Sequence, residues 1–130
     1  MKDTTLFATK GLLLDSDLTR NLKLIANDYD ITMNTLVEIL LAYIDNGYSP
    51  DESNPPCSME VCNRKHRTQK NYRVDYSVFS HIKRQAIERR MPVNDLINWC
   101  FNCIVNGEEL IDELILQYLE SHRGYARQCG

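Results

Sequence analysis

The chain has 130 residues, enough for one compact domain or for two very small units that share a core. Its hydrophobic content of 43% and charged content of 25% are ordinary for a soluble globular protein. No apolar run reaches the roughly 18 residues that a membrane-spanning helix needs, so we expect no membrane partner. Five cysteines without a recognisable secretion signal favour reduced thiols and a cytoplasmic location.

The net charge of −3 argues against a polyanionic partner until it is divided along the chain. Residues 1–63 carry a net −6 and residues 91–130 a net −4. Residues 64–90 instead hold nine Lys and Arg against two Asp and Glu, a net +7. Because local charge rather than the total attracts a nucleic acid, this segment is the candidate for binding one.

The two halves of the chain align without a gap when one is shifted by 60 residues. Asp15–Gly47 then matches Asp75–Gly107 with eight identities in 33 positions, and apolar pairs such as Leu22 and Ile82 keep their class. Both copies end in Asn-Gly. Such a repeat indicates one structural unit used twice.

Each unit is predicted to consist of a strand followed by two helices. Short extended runs are expected at about Ala8–Leu14 and Gln69–Val74. In the second run Tyr72 and Val74 alternate with Asn71 and Arg73, the period of a half-buried strand. Asp15 and Asp75 then occupy the position of a helix N-cap. One unit is too small to bury a core, so the strands should pair as an antiparallel ribbon while four helices interlock.

The second helix of each unit has its own boundary signals. Thr32 is expected to cap the first copy, and Pro92 to lie in the first turn of the second. Gly47 and Gly107 suit the left-handed position just past a helix end. The predicted organisation is therefore a first unit at residues 1–47, an irregular linker at 48–68 that is basic at its end, a second unit at 69–107, and a C-terminal part at 108–130.

The C-terminal part is predicted to hold an amphipathic helix over Glu108–His122 and a frayed tail. Its broad apolar face leaves two alternatives open. The helix either packs across the four-helix core or forms a surface for self-association.

Each unit resembles the ribbon-helix-helix pattern of the Arc/MetJ/CopG superfamily. The similarity lies in the strands, the Asp turns and the openings of the second helices at Ile31–Asn34 and Met91–Asn94. In that family a two-stranded ribbon enters the DNA major groove, exposed side chains read bases, and the second helix holds a phosphate at its N-terminus.

The resemblance implies a mainly α fold with a short β-ribbon. Tandem ribbon-helix-helix repeats would form an intramolecular pseudo-dimer, with a C-terminal helix added. It also implies a sequence-specific transcriptional regulator, such as a repressor of the phage, plasmid or archaeal-virus type. Double-stranded DNA is then the expected partner, in the cytoplasm of a host cell if the protein is viral.

The predicted base contacts come mainly from the second strand. Gln69, Asn71 and Arg73 alternate with core residues, and their side chains can bond adenine or guanine bidentately. This series is similar to the reading face of Arc. In the first strand only Thr9 offers a polar side chain at an equivalent position, so the second repeat is expected to dominate readout.

The predicted phosphate contacts combine basic side chains with helix N-termini. Asp28 and Asp30 flank the N-terminus of the first copy and should repel an anion. Basic residues flank the second copy and should attract one. The predicted contacts are Arg64, Lys65, Arg67, Lys70, Arg89 and Arg90, with the backbone N–H groups of Met33, Asn34, Val93 and Asn94.

The same residues also allow interpretations in which they have no binding role. The basic cluster could be a solvated linker end, and the polar strand face could have no partner. Cys57, Cys62 and His66 could join Cys100 and Cys103 in a zinc site, but the last two lie on a core stripe of a helix. We therefore predict no metal or cofactor.

The alternative function is that of a protein-binding module. A repurposed ribbon-helix-helix protein could bind and inhibit a host enzyme or a toxin through its acidic first repeat and apolar last helix. No phosphate loop, nucleophile elbow or zinc-protease motif occurs in the sequence, so an enzyme is not expected.

Overall fold

The computed structural model describes residues 6–50 and 67–129. This part of the chain is mainly helical and contains one two-stranded antiparallel sheet. None of its helices is both long and apolar enough to cross a membrane. The elements are, in order, β1 (Phe7–Asp15), α1 (Ser16–Asp28), α2 (Met33–Asp45), β2 (Arg67–Asp75), α3 (Tyr76–Glu88), α4 (Val93–Asn106) and α5 (Glu108–Cys129).

Each element of the first half recurs in the second half 60 residues later. The strand register has the same symmetry, because Gly11 lies opposite Asn71, its own counterpart in the 60-residue shift. An approximate twofold axis therefore passes through this pair. The predicted ribbon is present, but β2 begins at Arg67, inside the segment 48–68 that was predicted to be irregular.

One hydrophobic core lies between the ribbon and the helices, and both halves contribute to it. The ribbon supplies Leu12, Leu14, Tyr72 and Val74, none more than 2% exposed. Burial of this shared core stabilises both halves together, because a strand and two short helices have too little apolar surface to fold alone. The largest buried helical side chains include Leu18, Leu22, Leu36, Leu40, Ile44, Ile82, Leu96, Ile97 and Phe101.

The turns that end α1 and α3 have the same backbone conformation. Asp30 and Arg90, which are equivalent in the repeat, have φ angles of 58° and 60°. In each turn the next N–H donates back to a helical carbonyl, that of Ala26 or Ala86. Left-handed backbone is unfavourable for a residue with a Cβ, by roughly 1–2 kcal/mol, so both copies are held in an uncommon turn by the surrounding fold.

Two of the predicted helix boundaries need correction. Thr32 caps α2 as expected, and its hydroxyl accepts the Thr35 N–H at 3.0 Å. Pro92, however, is the N-cap of α4 rather than a first-turn residue. Gly47 has the expected positive φ, +112°, whereas Gly107 has φ −92°, because α5 begins at the next residue and the chain continues into another helix.

The last helix is longer than predicted and packs on the core. The backbone of α5 is helical to Cys129, so the prediction of a frayed tail after His122 is wrong. Ile111 and Ile115 are buried, and α5 contacts α2 and α4. Packing within the chain, one of the two alternatives, is thus present.

Candidate nucleic-acid interface

The side of the ribbon that faces away from the helices is termed the outer face. Its β2 residues are exposed, whereas Tyr72 and Val74, which alternate with them, are 2% and 1% exposed. The alternation predicted from the sequence therefore sets the orientation of this strand. The outer face consists of Thr9, Gly11 and Leu13 from β1 with Gln69, Asn71 and Arg73 from β2.

Gly11 provides the space into which the β2 amides lean. A Cβ atom added to Gly11 would lie 3.1 Å from Asn71 Oδ1 and 3.2 Å from Gln69 Nε2. These contacts are closer than ordinary van der Waals separation, so a side chain here would displace both amides. Gly11 thus accommodates the polar groups of the opposite strand at the twofold axis.

Arg73 is fixed on the outer face by its neighbours in the first half. Its N–H donates to Asn34 Oδ1 and its carbonyl accepts from Asn34 Nδ2, both at 2.8 Å. The Arg73 guanidinium lies 4.2 Å from the centre of the Phe7 ring. Because these contacts order the backbone and the charged end, less side-chain entropy remains to be lost on binding a partner.

The equivalent contact at the other end of the ribbon holds β1. The Leu13 N–H donates to Asn94 Oδ1 at 3.2 Å, and the Leu13 carbonyl accepts from Asn98 Nδ2 at 2.8 Å. Asn34 and Asn94 are equivalent in the repeat, and each holds the strand of the other half. The side chains of both asparagines are therefore structural, and only their backbone N–H groups remain as predicted phosphate contacts.

Because of this exchange, both repeats contribute to each end of the outer face. The α2 N-terminus adjoins the Arg73 end of the outer face, while the α4 N-terminus adjoins Leu13 and the paired Gln69. The two ends are four strand residues apart, about 13 Å. Each end thus combines a side chain from β2 with one helix N-terminus, α2 at one end and α4 at the other.

The first turns of α2 and α4 also differ. N–H groups at the start of a helix have no carbonyl partner within that helix. In α2 the Thr32 hydroxyl takes one of them, whereas no side chain caps α4. Met33 and Val93 are the first residues of these helices, so the predicted backbone contacts do lie at helix N-termini.

Arg67 does not have the environment predicted for a phosphate contact. Its Nε lies 2.9 Å from Asp15 Oδ1 and its Nη1 lies 2.8 Å from Asp95 Oδ1. The side chains of Arg67 and Asp95 are only 7% and 6% exposed. Although burial disfavours the charged form, hydrogen bonds to the two carboxylates raise the pKa of Arg67. Arg67 is therefore an internal ion-pairing residue.

The Arg67 network also explains a difference between the two predicted N-caps. The Asp75 carboxylate accepts the N–H groups of Ser77 and Val78 and caps α3. Asp15 stands at the equivalent position but makes no capping bond. Its oxygens instead accept from Arg67 and from Asn102 Nδ2, at 2.9 and 3.2 Å.

Arg89 lies elsewhere than predicted. Its guanidinium is 5.6 Å from the centre of the Trp99 ring and donates to the Ser49 hydroxyl at 3.4 Å. Trp99 is six residues into α4, about 9 Å along the helix from its first residue. Arg89 therefore packs on the side of α4, and the phosphate contact predicted for it at the N-terminus is not supported.

The other predicted basic residues have different positions. Arg90 is exposed in the turn before α4, and Lys70 is exposed on the side of the ribbon opposite Gln69 and Asn71. Lys70 can therefore not join the outer face. Arg64 and Lys65 lie outside the described residues.

The cysteines considered as zinc ligands are only partly within the described residues. Cys100 is buried in the core, where burial raises the pKa of its thiol to about 12. Cys57, Cys62 and His66 lie outside the part of the chain that the structure describes.

The chain matches no protein-family model, no curated protein and no solved structure. Its function has to be inferred from the geometry of the interface itself.

Asn34→Ala is expected to destabilise the protein by about 2 kcal/mol, because it removes two hydrogen bonds to the Arg73 backbone, each with a net contribution of roughly 1 kcal/mol. Urea denaturation measures the change. Asn21→Ala, on the exposed side of α1, is the control and should stay within about 0.5 kcal/mol of wild type. Equal effects of the two substitutions would contradict a stabilising role for the Asn34 hydrogen bonds to β2.

Proposed function

We propose that the protein is a sequence-specific DNA-binding regulator of the ribbon-helix-helix type, built from tandem repeats in one chain. The observation that carries the proposal is the outer face of the ribbon. Gln69, Asn71 and Arg73 are exposed side by side on one strand, and a helix N-terminus adjoins each end of the row.

The dimensions and side chains of the ribbon suit the DNA major groove. The groove is about 12 Å wide and admits a two-stranded ribbon, whose strands are about 4.8 Å apart. Arg73 has the donors to bond guanine N7 and O6, while the Gln69 and Asn71 amides can bond adenine N6 and N7. The ribbon therefore carries chemistry that distinguishes base pairs, which an ordinary solvated strand does not need.

The helix N-termini supply the phosphate contacts in this proposal. Their unpaired N–H groups and positive dipole ends favour an anion. The α4 end is the stronger of the two, since exposed Arg90 precedes it, whereas Asp30 occupies the equivalent position before α2. Asp95 in the first turn of α4 would oppose an anion, but its charge is offset by Arg67.

The outer face predicts a recognition sequence without twofold symmetry. Asn71 lies on the twofold axis, with Arg73 on one side and Gln69 on the other. Because these residues prefer different bases, the two sides of the site should differ: guanine beside Arg73 and adenine beside Gln69. The opposite strand adds only Thr9 and Leu13, of which Leu13 can contact a thymine methyl group.

Selection from a randomised duplex library at two salt concentrations tests the proposal. Wild type should enrich a non-palindromic motif, and its affinity should fall steeply with salt. Arg73→Ala should weaken binding by about 1–3 kcal/mol and relax the preference at one guanine, because it removes one bidentate base contact. Arg20→Ala removes the same charge from the exposed side of α1 and serves as the control.

The absence of an enriched motif and of a salt dependence would refute DNA binding. Equal losses in Arg73→Ala and Arg20→Ala would indicate general electrostatic attraction rather than base readout. Stoichiometric capture of one protein by a chain that enriches no motif would favour the alternative function, inhibition of a protein partner.

A further inference from the structure

A cavity of about 270 Å³ opens at the Phe7 end of the ribbon, next to the outer face. Its walls come from both strands, from α2, α3 and α5, and are mostly apolar. Two carboxylates interrupt the apolar lining. The residues used below are Phe7, Glu38, Ile39, Ala42, Asp75 and Val78.

The internal repeat shows what fills the corresponding place in the other half. Shifted by 60 residues, Phe7 corresponds to Arg67 and Asp75 to Asp15. In that half the Arg67 side chain is buried, and its Nε lies 2.9 Å from Asp15 Oδ1. In the half that contains the cavity, the carboxylate is kept and the arginine is replaced by phenylalanine.

The described lining of the cavity therefore includes two acidic side chains and no basic one. Glu38 accepts a hydrogen bond from Asn34 Nδ2 at 3.0 Å, and Asp75 accepts two backbone N–H groups. Among the residues whose side chains the structure describes (6–50, 67–107 and 110–121), no lysine or arginine forms an ion pair with either carboxylate. Burial raises the pKa of Glu38 despite the opposing charge of Arg73, so its carboxylate is incompletely solvated.

We propose that this cavity binds a small organic cation, a guanidinium or primary ammonium group on a short apolar body. The ligand would take the place that the Arg67 side chain takes in the other half. Its charged end would pair with Glu38 and Asp75, and its body would pack against Ile39, Ala42 and Val78. The Phe7 ring adds a cation–π surface. The volume is just below the usual range for ligand sites, which limits the ligand to a small molecule.

Calorimetric titration of the full chain tests the site with n-propylguanidinium, which reproduces the arginine side chain from Cβ outward. Binding should be saturable. n-Propylurea has the same shape without the charge, and its affinity should be roughly tenfold lower, because a charged hydrogen bond is replaced by a neutral one. No saturable binding of n-propylguanidinium, or equal affinity for the urea, would overturn the proposal.

Two variants locate the binding in this cavity. Glu38→Gln should weaken binding of n-propylguanidinium roughly tenfold, while Glu88→Gln, on the exposed surface of α3, should leave it unchanged. Phe7→Arg should abolish it, because the chain's own guanidinium then fills the site as Arg67 does. Retained binding in a folded Phe7→Arg protein, or equal effects of the two glutamine variants, would contradict the assignment.

Occupancy of the cavity should also alter DNA affinity, an effect that rests on the proposed function. Phe7 lines the cavity and also contacts the Arg73 guanidinium, so a ligand against Phe7 would shift Arg73. Saturating n-propylguanidinium should change the affinity of wild type for its selected duplex but not that of Phe7→Arg. Because calorimetry without DNA measures the site alone, failure of DNA binding would be distinguishable from failure of the cavity.

Discussion

Arg67→Met is expected to lower the free energy of unfolding by about 3–5 kcal/mol, the usual range for removing one partner of a buried ion pair. Methionine keeps most of the apolar stem but removes the guanidinium that pairs with the Asp95 carboxylate, whose side chain is 6% exposed. Asp15 loses the same partner. Urea denaturation at neutral pH measures the change.

Two further variants define the cause of this loss. Arg20→Met breaks a salt bridge with Asp17 in which both side chains are at least 70% exposed, and it should cost less than about 1 kcal/mol. Arg67→Met combined with Asp95→Asn should recover part of the lost stability, because a neutral amide then replaces the buried carboxylate that lost the Arg67 guanidinium. A cost below about 1 kcal/mol for Arg67→Met alone would mean that Arg67 is solvated and available to a phosphate.

The Arg67 network links stability to the interface. Asp95 lies in the first turn of α4, where its negative charge would repel a phosphate from the helix N-terminus. Arg67, on β2, pairs with Asp95 and offsets that charge. Nearby, Asn98 Oδ1 accepts the Asp15 N–H at 2.7 Å. In the proposed function, Arg67 therefore does not touch DNA but offsets the Asp95 charge at the α4 N-terminus.

Local patterns in the sequence predicted much of the fold. The 60-residue shift located both strand–helix–helix units, and the ribbon register passes through the pair Gly11 and Asn71 that the shift relates. Alternation along β2 predicted which side chains leave the core. These predictions succeeded because strand period, helix period and capping depend on residues close in sequence.

The parts that could not be predicted depend on contacts distant in sequence. Arg67 pairs with residues 52 and 28 positions away, and nothing near Arg67 distinguishes it from Arg64 or Lys65. The Asn34 and Asn94 side chains bind the strand of the other half, 39 and 81 residues away, so this structural role could not be predicted from one unit. Arg89 looked equivalent to Arg90, but only Arg90 is exposed; Arg89 packs against Trp99.

The ribbon combines a nearly symmetric backbone scaffold with asymmetric side chains on its outer face. The scaffold is close to twofold symmetric, with equivalent turns at Asp30 and Arg90 and equivalent clamps by Asn34 and Asn94. The side chains it presents are not symmetric. In the proposed function, β1 therefore serves mainly as the support for β2, and Gly11 leaves room for the β2 amides.

Replacing Gln69, Asn71 and Arg73 together by alanine is expected to reduce affinity for the selected duplex by at least about 100-fold, since each of the three bidentate base contacts is worth roughly 1–3 kcal/mol. Binding to random duplex should change much less, because the phosphate contacts remain. All three side chains are exposed, so the stability of the fold should be nearly unchanged. Competition titrations with selected and random duplexes measure both affinities.

Thr9→Ala combined with Leu13→Ala is the matched control on the opposite strand of the same outer face. These side chains offer one hydroxyl and one apolar contact, so the loss in affinity should stay below about tenfold. A loss as large as that of the β2 variant would show that both strands read bases and would contradict readout by β2 alone. A small loss, with the large loss confined to the β2 variant, is the result that one-strand readout requires.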